Sequence, residues 1–284
     1  MSQKKAMKTD TITAKQDQEL MRTSTPFDDR ANMRFSISDL DLGLIRSYLS
    51  KIDRELFDSC IYMPFEDLLI KLNFADKVQD KYYPKNVALM FFNDEPDKFF
   101  PQTQIDIVQR VNIYGKEDYK EISFKGTLDK MFSDTMSYFE SLYFMERVQK
   151  MPGLARANRF FSYPKKAIEE ALLNALCHRS YEIPKPIEVC VLRDKITIKS
   201  YPGPDSSITD EQIKELNFNA DIKRNQRICD ILKDPDPFES MLSGMEKIIN
   251  ACEGNGSPLP IVRTDADRSF FSIELMLHKQ WYEL

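Results

Sequence analysis

The chain has 284 residues, of which 42% are hydrophobic and 30% are charged, and its formal net charge at pH 7 is −5. This length and composition predict a globular protein that buries one large core or two modest ones, and we take two domains as the working number. The negative charge argues against a general basic surface for nucleic acid phosphates, and no apolar run approaches the roughly 20 residues that a membrane-spanning helix needs.

The N-terminal residues and the cysteines both bear on the cellular compartment. Residues 1–25 are polar and lack periodicity, which predicts a disordered arm, and they contain no apolar stretch of the kind found in a secretory signal. The cysteines are odd in number and none lies in a C-x-x-C pair, which predicts reduced thiols rather than a disulfide framework or a zinc site. They are Cys60, Cys177, Cys190, Cys229 and Cys252. Together these features predict a cytoplasmic protein.

Three short helices are predicted in the first third of the chain. Ser36 or Ser38 can cap a helix whose apolar residues recur at helical spacing over residues 40–52. A second helix is expected near residues 65–73, and the run NVALMFF at residues 86–92 has a composition compatible with a third. We interpret the first two helices as a docking or linker layer.

A β-hairpin and a long helix follow. Residues 104–114 alternate apolar and polar side chains as a strand with one buried face does, and residues 121–126 offer a partner strand. From Leu128 to Tyr143, apolar residues recur three and four positions apart, which is the strongest periodic signal in the chain. Residues 151–160 then break the pattern with a Pro-Gly pair, so we expect the first domain to end near residue 150.

The last part of the chain alternates helices with pairs of strands. A helix is predicted from Pro164 to about Arg179, and the apolar runs PIEVCVL and KITIKSY flank Arg193-Asp194 as the strands of a hairpin would. Further helices are expected at residues 209–216, 225–232 and 238–251, and further strands at residues 258–263 and 269–275. This grouping predicts an α+β fold with an antiparallel or mixed sheet covered by helices on one face.

The helix that begins at Pro164 contains a row of polar side chains. Glu170, Asn174 and His178 are four residues apart, so they stack on one side of the helix. A carboxylate, an amide and an imidazole in a row could hold a magnesium ion with its waters and polarise a phosphate. The solvated face of an amphipathic helix gives the same pattern and is the more common origin of such rows.

Longer segments around this row resemble a known domain. EALLNALCHRSY at residues 170–181 and PIEVCVLRDKITIKSYPGP at residues 186–204 resemble the opening of the RecG C-terminal-like domain, a relative of the GHKL ATPases. The resemblance continues through residues 223–225 and through FESMLSGMEKI at residues 238–248, and it ends with PLPIVR and an apolar last strand. It implies a HATPase-like α+β domain at residues 151–284.

The preceding residues resemble the segment that joins this domain to an AlbA-type, Schlafen-like DNA-binding domain. TPFDD, FSISDLDLGLIRSYL and ISFKGTLDKMF are among the motifs that carry this second resemblance. It implies a Schlafen-like connecting α+β domain at residues 26–150, after the arm at residues 1–25. Because the AlbA-type domain would lie before Met1, the resemblance implies a truncated or split member of a bacterial family of transcriptional regulators.

The resemblance assigns roles to four residues. Glu170 falls where a glutamate orients a water and is the catalytic candidate, and Asn174 falls where an asparagine ligates the magnesium of bound ATP. Gly203 falls in a nucleotide-contacting loop, and Gly244 falls at the start of a helix, where backbone N–H groups could meet phosphate. The Asp-x-Gly-x-Gly loop that reads adenine in active GHKL ATPases is replaced by Ser-Tyr-Pro-Gly-Pro at residues 200–204, which predicts a degenerate nucleotide pocket.

Three functions are compatible with these observations. The first is a regulatory or oligomerisation module of a RecG-related transcriptional regulator, which reaches DNA through a separate or missing domain. The second is a weak GHKL-type ATPase that binds ATP and magnesium, and the third is a nucleic-acid-binding module. A helicase motor is disfavoured because none of the eight glycines opens a G-x-x-x-x-G-K-[ST] phosphate loop.

Overall fold

The computed structural model describes residues 25–113, 116–149, 157–218, 224–233 and 243–281. The predicted arm falls almost entirely outside the described residues, as do the Pro-Gly pair after residue 150 and the predicted start of a helix at residue 238. The chain divides into two compact units. Among the described residues, the first unit contains those up to Asn93 together with Arg224–Arg227, and the second contains the others from Asp94 onward.

The first unit is built from short helices and one β-hairpin. Its helices are α1 (Leu42–Ile52), α2 (Arg54–Ser59), α3 (Phe65–Lys71) and α4 (Asn86–Phe91), and its hairpin pairs β1 (Ala75–Val78) with β2 (Lys81–Pro84). Every residue of α4 is buried, which explains why NVALMFF is apolar almost throughout. Helices α3 and α4 confirm the helices predicted at these positions.

The cap predicted for α1 is wrong. Ser36 instead caps a 3-10 turn that ends at Asp39. Leu40 then adopts an extended conformation, so the turn cannot continue into a helix. Asp41 caps α1, because its carboxylate accepts hydrogen bonds from two backbone N–H groups of the first helical turn.

The second unit contains a six-stranded mixed sheet. Its strands lie in the order β4 (Lys116–Phe124), β3 (Ile105–Ile113), β7 (Ile187–Val191), β8 (Lys195–Ser200), β10 (Phe271–Met276) and β9 (Ile261–Arg263). Strands β3 and β7 are parallel, and every other neighbouring pair is antiparallel. The hairpin of β7 and β8, strand β3 and the last two strands occur where the sequence predicted them, whereas β4 begins at Lys116 rather than at Glu121. Strands β3 and β4 come from the segment that the sequence analysis assigned to the connecting domain.

One face of this sheet is apolar and the other is partly exposed. Side chains alternate along β7 and β8, so that Ile187, Val189 and Ile198 are buried while Glu188 and Lys199 lie on the opposite face. The alternation explains how the apolar positions of two short strands contribute to one core.

Helices of the second unit cover the apolar face. They are α5 (Leu128–Leu142), α6 (Lys165–His178), α7 (Asp210–Lys214), α8 (Gln226–Leu232, in this unit from Ile228 onward) and α9 (Gly244–Asn255). Helix α6 packs against β8, β10, α5 and α9. This arrangement confirms the predicted α+β fold with a mixed sheet covered by helices. Among the described residues, every helix is too short or too polar to cross a lipid bilayer.

A separate two-stranded sheet pairs β5 (Glu146–Gln149) with β6 (Asn158–Phe161). Phe160 of β6 stacks on His278 with ring centroids 4.1 Å apart, and Trp281 lies edge-on to Phe160. His278 is buried, and its Nδ1 accepts a hydrogen bond from Gln280 N–H at 3.3 Å. These contacts hold the C-terminal end of the described chain against β6.

Cys177 of α6 and Cys229 of α8 form a disulfide, so the prediction that these two cysteines are reduced is wrong. Their Cα atoms lie 5.3 Å apart, within the range that a disulfide bridges, although 52 residues separate them along the chain. The other three cysteines, Cys60, Cys190 and Cys252, are free thiols, as predicted.

Candidate functional site

Helix α6 places Glu170 and Asn174 one turn apart on the same side. Pro164 occupies the N-cap position, and the alanine and leucine residues that follow make α6 buried almost all round. Glu170 is therefore a buried carboxylate, with 7% of its surface exposed, and Asn174 is half-buried. His178 is the last residue of the helix, one further turn away. Because a buried carboxylate is costly without a partner, the contacts of Glu170 define the site.

The start of helix α9 meets these two side chains. Ser243 caps the helix, since its hydroxyl accepts a hydrogen bond from Glu246 N–H at 3.2 Å and the Glu246 carboxylate accepts one from Ser243 N–H at 2.7 Å. Gly244 is the first residue of the helix, and a Cβ built there would lie 2.5 Å from Asn174 Nδ2 and 2.8 Å from Glu170 Oε1. Only glycine fits there unless a neighbouring side chain shifts. The structure thus brings together three of the four residues predicted for the site.

Lys233 completes the cluster, and sequence reasoning missed it. Its Nζ donates a hydrogen bond to Glu170 Oε1 at 2.9 Å and forms an ion pair with that carboxylate. The backbone N–H of Lys233 donates to the carbonyl of Cys229 at 2.9 Å, which extends the last turn of α8 and positions the lysine. Lys233 follows Glu170 by 63 residues, so no local sequence pattern could have paired them.

The cluster contains groups that bind phosphate and magnesium in other proteins, but it is closed. Glu170 and Asn174 supply the oxygen ligands that Mg²⁺ prefers, while the ammonium of Lys233 and the first N–H groups of α9 suit an anion. Glu170 Oε1 is instead paired with Lys233, and the first residue of α9 lies directly against Asn174. In the described part of the chain, no group of three or more acidic, histidine or cysteine residues could hold a metal ion. In the arrangement observed, the side chains of Glu170 and Asn174 are therefore engaged by contacts within the protein.

Gly203 lies in a different setting from Gly244. Its N–H donates a hydrogen bond to the carbonyl of Arg268 at 2.7 Å, and a Cβ there would lie 2.6 Å from Arg268 O and 2.8 Å from Phe270 O. Close packing of two backbone segments therefore explains the need for glycine at this position. These nearest atoms belong to neither Glu170 nor Asn174. The nucleotide contact expected of Gly203 stays a prediction.

Tyr201 anchors the loop at residues 200–204. Its hydroxyl donates a hydrogen bond to Glu188 Oε1 at 2.8 Å, and the ammonium groups of Lys185 and Lys199 lie 4.4 and 5.0 Å from the centroid of its ring. Burial raises the pKa of Tyr201, and the hydrogen bond to Tyr201 raises the pKa of Lys199. The Tyr201 carbonyl accepts a hydrogen bond from Ser180 N–H at 2.7 Å, just beyond α6. The loop is thus fixed by contacts within the domain.

Comparison with known protein families identifies part of the second unit. Residues 185–275 match the family model described as "Putative ATP-dependent DNA helicase recG C-terminal". The matched range includes Gly203, Lys233 and Gly244. It begins after α6, so Glu170 and Asn174 lie outside it.

A solved structure has a similar fold. It is described as the DIP2311 protein from Corynebacterium diphtheriae, and it superimposes with a TM-score of 0.58 at 17% sequence identity. The similarity covers 92% of this chain and 49% of that one, so the chain spans about half the length of this structural neighbour. At this identity the likeness concerns the fold alone. Comparison with curated protein sequences gave no significant match.

Proposed function

We propose that this chain, which carries a RecG C-terminal-like domain over residues 185–275, is a regulatory module whose nucleotide pocket is degenerate and closed. The observation that carries the proposal is the ion pair between Lys233 and Glu170 at 2.9 Å. A GHKL-like catalytic role would fall to Glu170, and Lys233 occupies one of the two oxygens with which that carboxylate could orient a water. The proposed module therefore acts without ATP hydrolysis.

The space that a nucleotide needs supports the same proposal. Binding of Mg–ATP between α6 and α9 would require two movements. The first turn of α9 would have to move away from Asn174, and the ammonium of Lys233 would have to leave the carboxylate of Glu170. Leaving the buried carboxylate unpaired would cost free energy. The loop at residues 200–204 lacks the aspartate that would recognise adenine. A hydrogen bond to adenine therefore does not offset the free energy lost when Glu170 is left unpaired.

Isothermal titration calorimetry with ATP and magnesium tests the proposal. We expect no heat of binding with the wild-type chain and none with Asn174→Ala. Heat in the wild type that is lost in Asn174→Ala would overturn the proposal in favour of the second candidate, a weak GHKL-type ATP-binding protein. Equal heat in both proteins would also contradict a closed pocket. The convergence of Glu170, Asn174 and Gly244 is the observation that favours this second candidate.

We further propose that the module serves a RecG-related, Schlafen-like transcriptional regulator of the bacterial cytoplasm, forms homo-oligomers and reaches DNA through a separate domain. The net charge of −5 supports a separate DNA-binding domain, since a chain with this charge offers no general field for phosphates. Size-exclusion chromatography with light scattering tests the oligomer. We expect a mass at least twice that of one chain, and a monomer at micromolar concentration would contradict this part of the proposal.

A further inference from the structure

Two links join α6 to α8 and the residue that follows it. The first is the disulfide between Cys177 and Cys229, and the second is the ion pair between Glu170 and Lys233. Glu170 and Cys177 are seven residues apart, which is close to two helical turns, so they lie on one face of α6. The disulfide and the ion pair therefore secure the same face of α6.

The disulfide also helps to position Lys233, because it fixes the helix that precedes this residue. Lys233 lies four residues after Cys229, and its N–H donates to the Cys229 carbonyl. Helix α8 has seven residues, and its buried side chains are those of Ile228 and Cys229. A helix this short has little stability of its own, so its position depends on such anchors.

We propose that Cys177 and Cys229 form a redox latch: the disulfide holds Lys233 on Glu170 and keeps the site closed, and reduction releases the lysine. The inference rests on the proposed function, because it adds a signal to the closed site of the regulatory module. Disulfides in reducing compartments are usually transient and redox-sensing, which is the behaviour expected of such a latch. The signal sensed would be the thiol redox state of the cell.

The release is a two-electron reduction by a dithiol. One thiolate of the dithiol attacks the sulfur of Cys177 or Cys229 and forms a mixed disulfide, while the other cysteine leaves as a thiolate. The second thiolate of the dithiol then displaces the remaining cysteine and closes its own disulfide. Both cysteines end as thiols that carry the two protons of the dithiol. Because both are almost fully buried in the structure, the dithiol reaches them only when the residues around the disulfide open transiently.

Lysine acetylation of the folded chain tests the latch, because an amine reacts faster once it leaves its ion pair. Lys195 is a matched control in the same unit. Its Nζ lies 2.8 Å from Glu274 with 25% of the side chain exposed, against 2.9 Å and 26% for Lys233. The full chain is treated briefly with an acetylating reagent, either oxidised or after incubation with dithiothreitol. Mass spectrometry then measures acetylation at each lysine, and alkylation after denaturation counts the free thiols.

The latch predicts a response at one lysine alone. We expect three alkylated cysteines in the oxidised protein and five after reduction. Reduction should raise the acetylation rate of Lys233 about tenfold, equivalent to about 1.4 kcal/mol in the opening equilibrium, and leave that of Lys195 unchanged. Cys177→Ser should show the faster rate at Lys233 with or without dithiothreitol. Cys190→Ser, which changes a cysteine outside the pair, should behave as the wild type.

Several results would overturn the latch. They are equal acetylation of Lys233 before and after reduction, five free thiols in the oxidised protein, and a disulfide that resists dithiothreitol in the folded chain. If reduction raised the acetylation rate of Lys195 as much as that of Lys233, reduction would be unfolding the whole unit. That result also contradicts a local latch. ATP binding by the oxidised protein would instead contradict the proposed function, so the two failures are distinguishable.

Discussion

The space at Gly244 is limited by two polar side chains rather than by backbone. A Cβ there would lie 2.5 to 2.9 Å from side-chain atoms of Asn174 and Glu170, so a substitution must push at least one of them aside. We expect Gly244→Ala to lower the free energy of unfolding by about 1–3 kcal/mol, the usual cost of adding a methyl group to a packed region. Urea denaturation followed by circular dichroism measures this change.

Gly254 on the same helix is the matched control for Gly244. No atom outside its own helix turn lies within 4 Å of a Cβ built at Gly254, so the methyl group meets open space. Gly254→Ala should therefore raise the free energy of unfolding by about 0.5–1 kcal/mol through the helix preference of alanine. If Gly244→Ala were as stable as the wild type, α9 would not pack against α6 as described.

His278 should make stability depend on pH near neutrality. Burial lowers the pKa of its imidazole below the ordinary value of 6.5, and its neutral Nδ1 accepts the hydrogen bond from Gln280 N–H. The unfolded chain then binds the proton more readily than the folded one. The stabilisation is fully present above the unfolded-state pKa and is lost as the pH falls through the folded-state pKa. We expect the free energy of unfolding to fall as the pH decreases from about 7 to about 5.

Urea denaturation at a series of pH values checks the role of His278. His278→Gln keeps a polar side chain of similar length but cannot titrate in this range, so its free energy of unfolding should vary less between about pH 7 and pH 5. Parallel curves for the two proteins would show that other groups cause the change.

Secondary structure could be predicted from the sequence where its pattern was local. The buried residues of α5 recur at helical spacing, and β7 and β8 pair on either side of Arg193-Asp194. Each pattern lies within one element and its turn. The start of α1 shows the limit, because Ser36, Ser38 and Asp41 are all suitable caps. Tertiary context favours Asp41, whose N–H donates to the Phe92 carbonyl at 2.8 Å.

The candidate site could be predicted only in part. Glu170 and Asn174 share one helix, so their spacing showed that they would be neighbours, and Gly244 was found through a family resemblance. The ion pair with Lys233 and the disulfide of Cys177 depend instead on how α8 approaches α6, across 63 and 52 residues of sequence. No local pattern of residue types contains that information.

Reduction of the disulfide should lower the free energy of unfolding. The cross-link joins Cys177 and Cys229 across 52 residues, and the entropy that it removes from the unfolded chain corresponds to about 4 kcal/mol. We expect the free energy of unfolding measured in urea to fall by up to this amount when reductant is added. Cys177→Ser should lose this response, whereas Cys190→Ser should keep it. If the urea midpoint of the wild-type protein were the same with and without reductant, the result would be inconsistent with the disulfide.

Among the described residues, both units contain buried or partly buried lysines that are paired with acids. Lys85 pairs with Asp29 in the first unit, and Lys195 pairs with Glu274 in the second. The net charge is −5. A cation whose field is balanced by an acid contributes little to long-range attraction of phosphates. We therefore expect the general surface of this chain to attract DNA phosphates only weakly.

We therefore expect this chain alone to bind duplex DNA weakly and without a steep dependence on salt. A protein that neutralises about six to ten phosphates loses about 10³–10⁵ in affinity between roughly 50 and 200 mM salt. Fluorescence anisotropy with labelled duplex DNA at these two salt concentrations measures the change in affinity. A steep loss of affinity would favour the nucleic-acid-binding module over a separate DNA-binding domain. If Lys165→Glu and Lys166→Glu then reduced the affinity, the DNA-binding surface would include the start of α6, where both lysines are exposed.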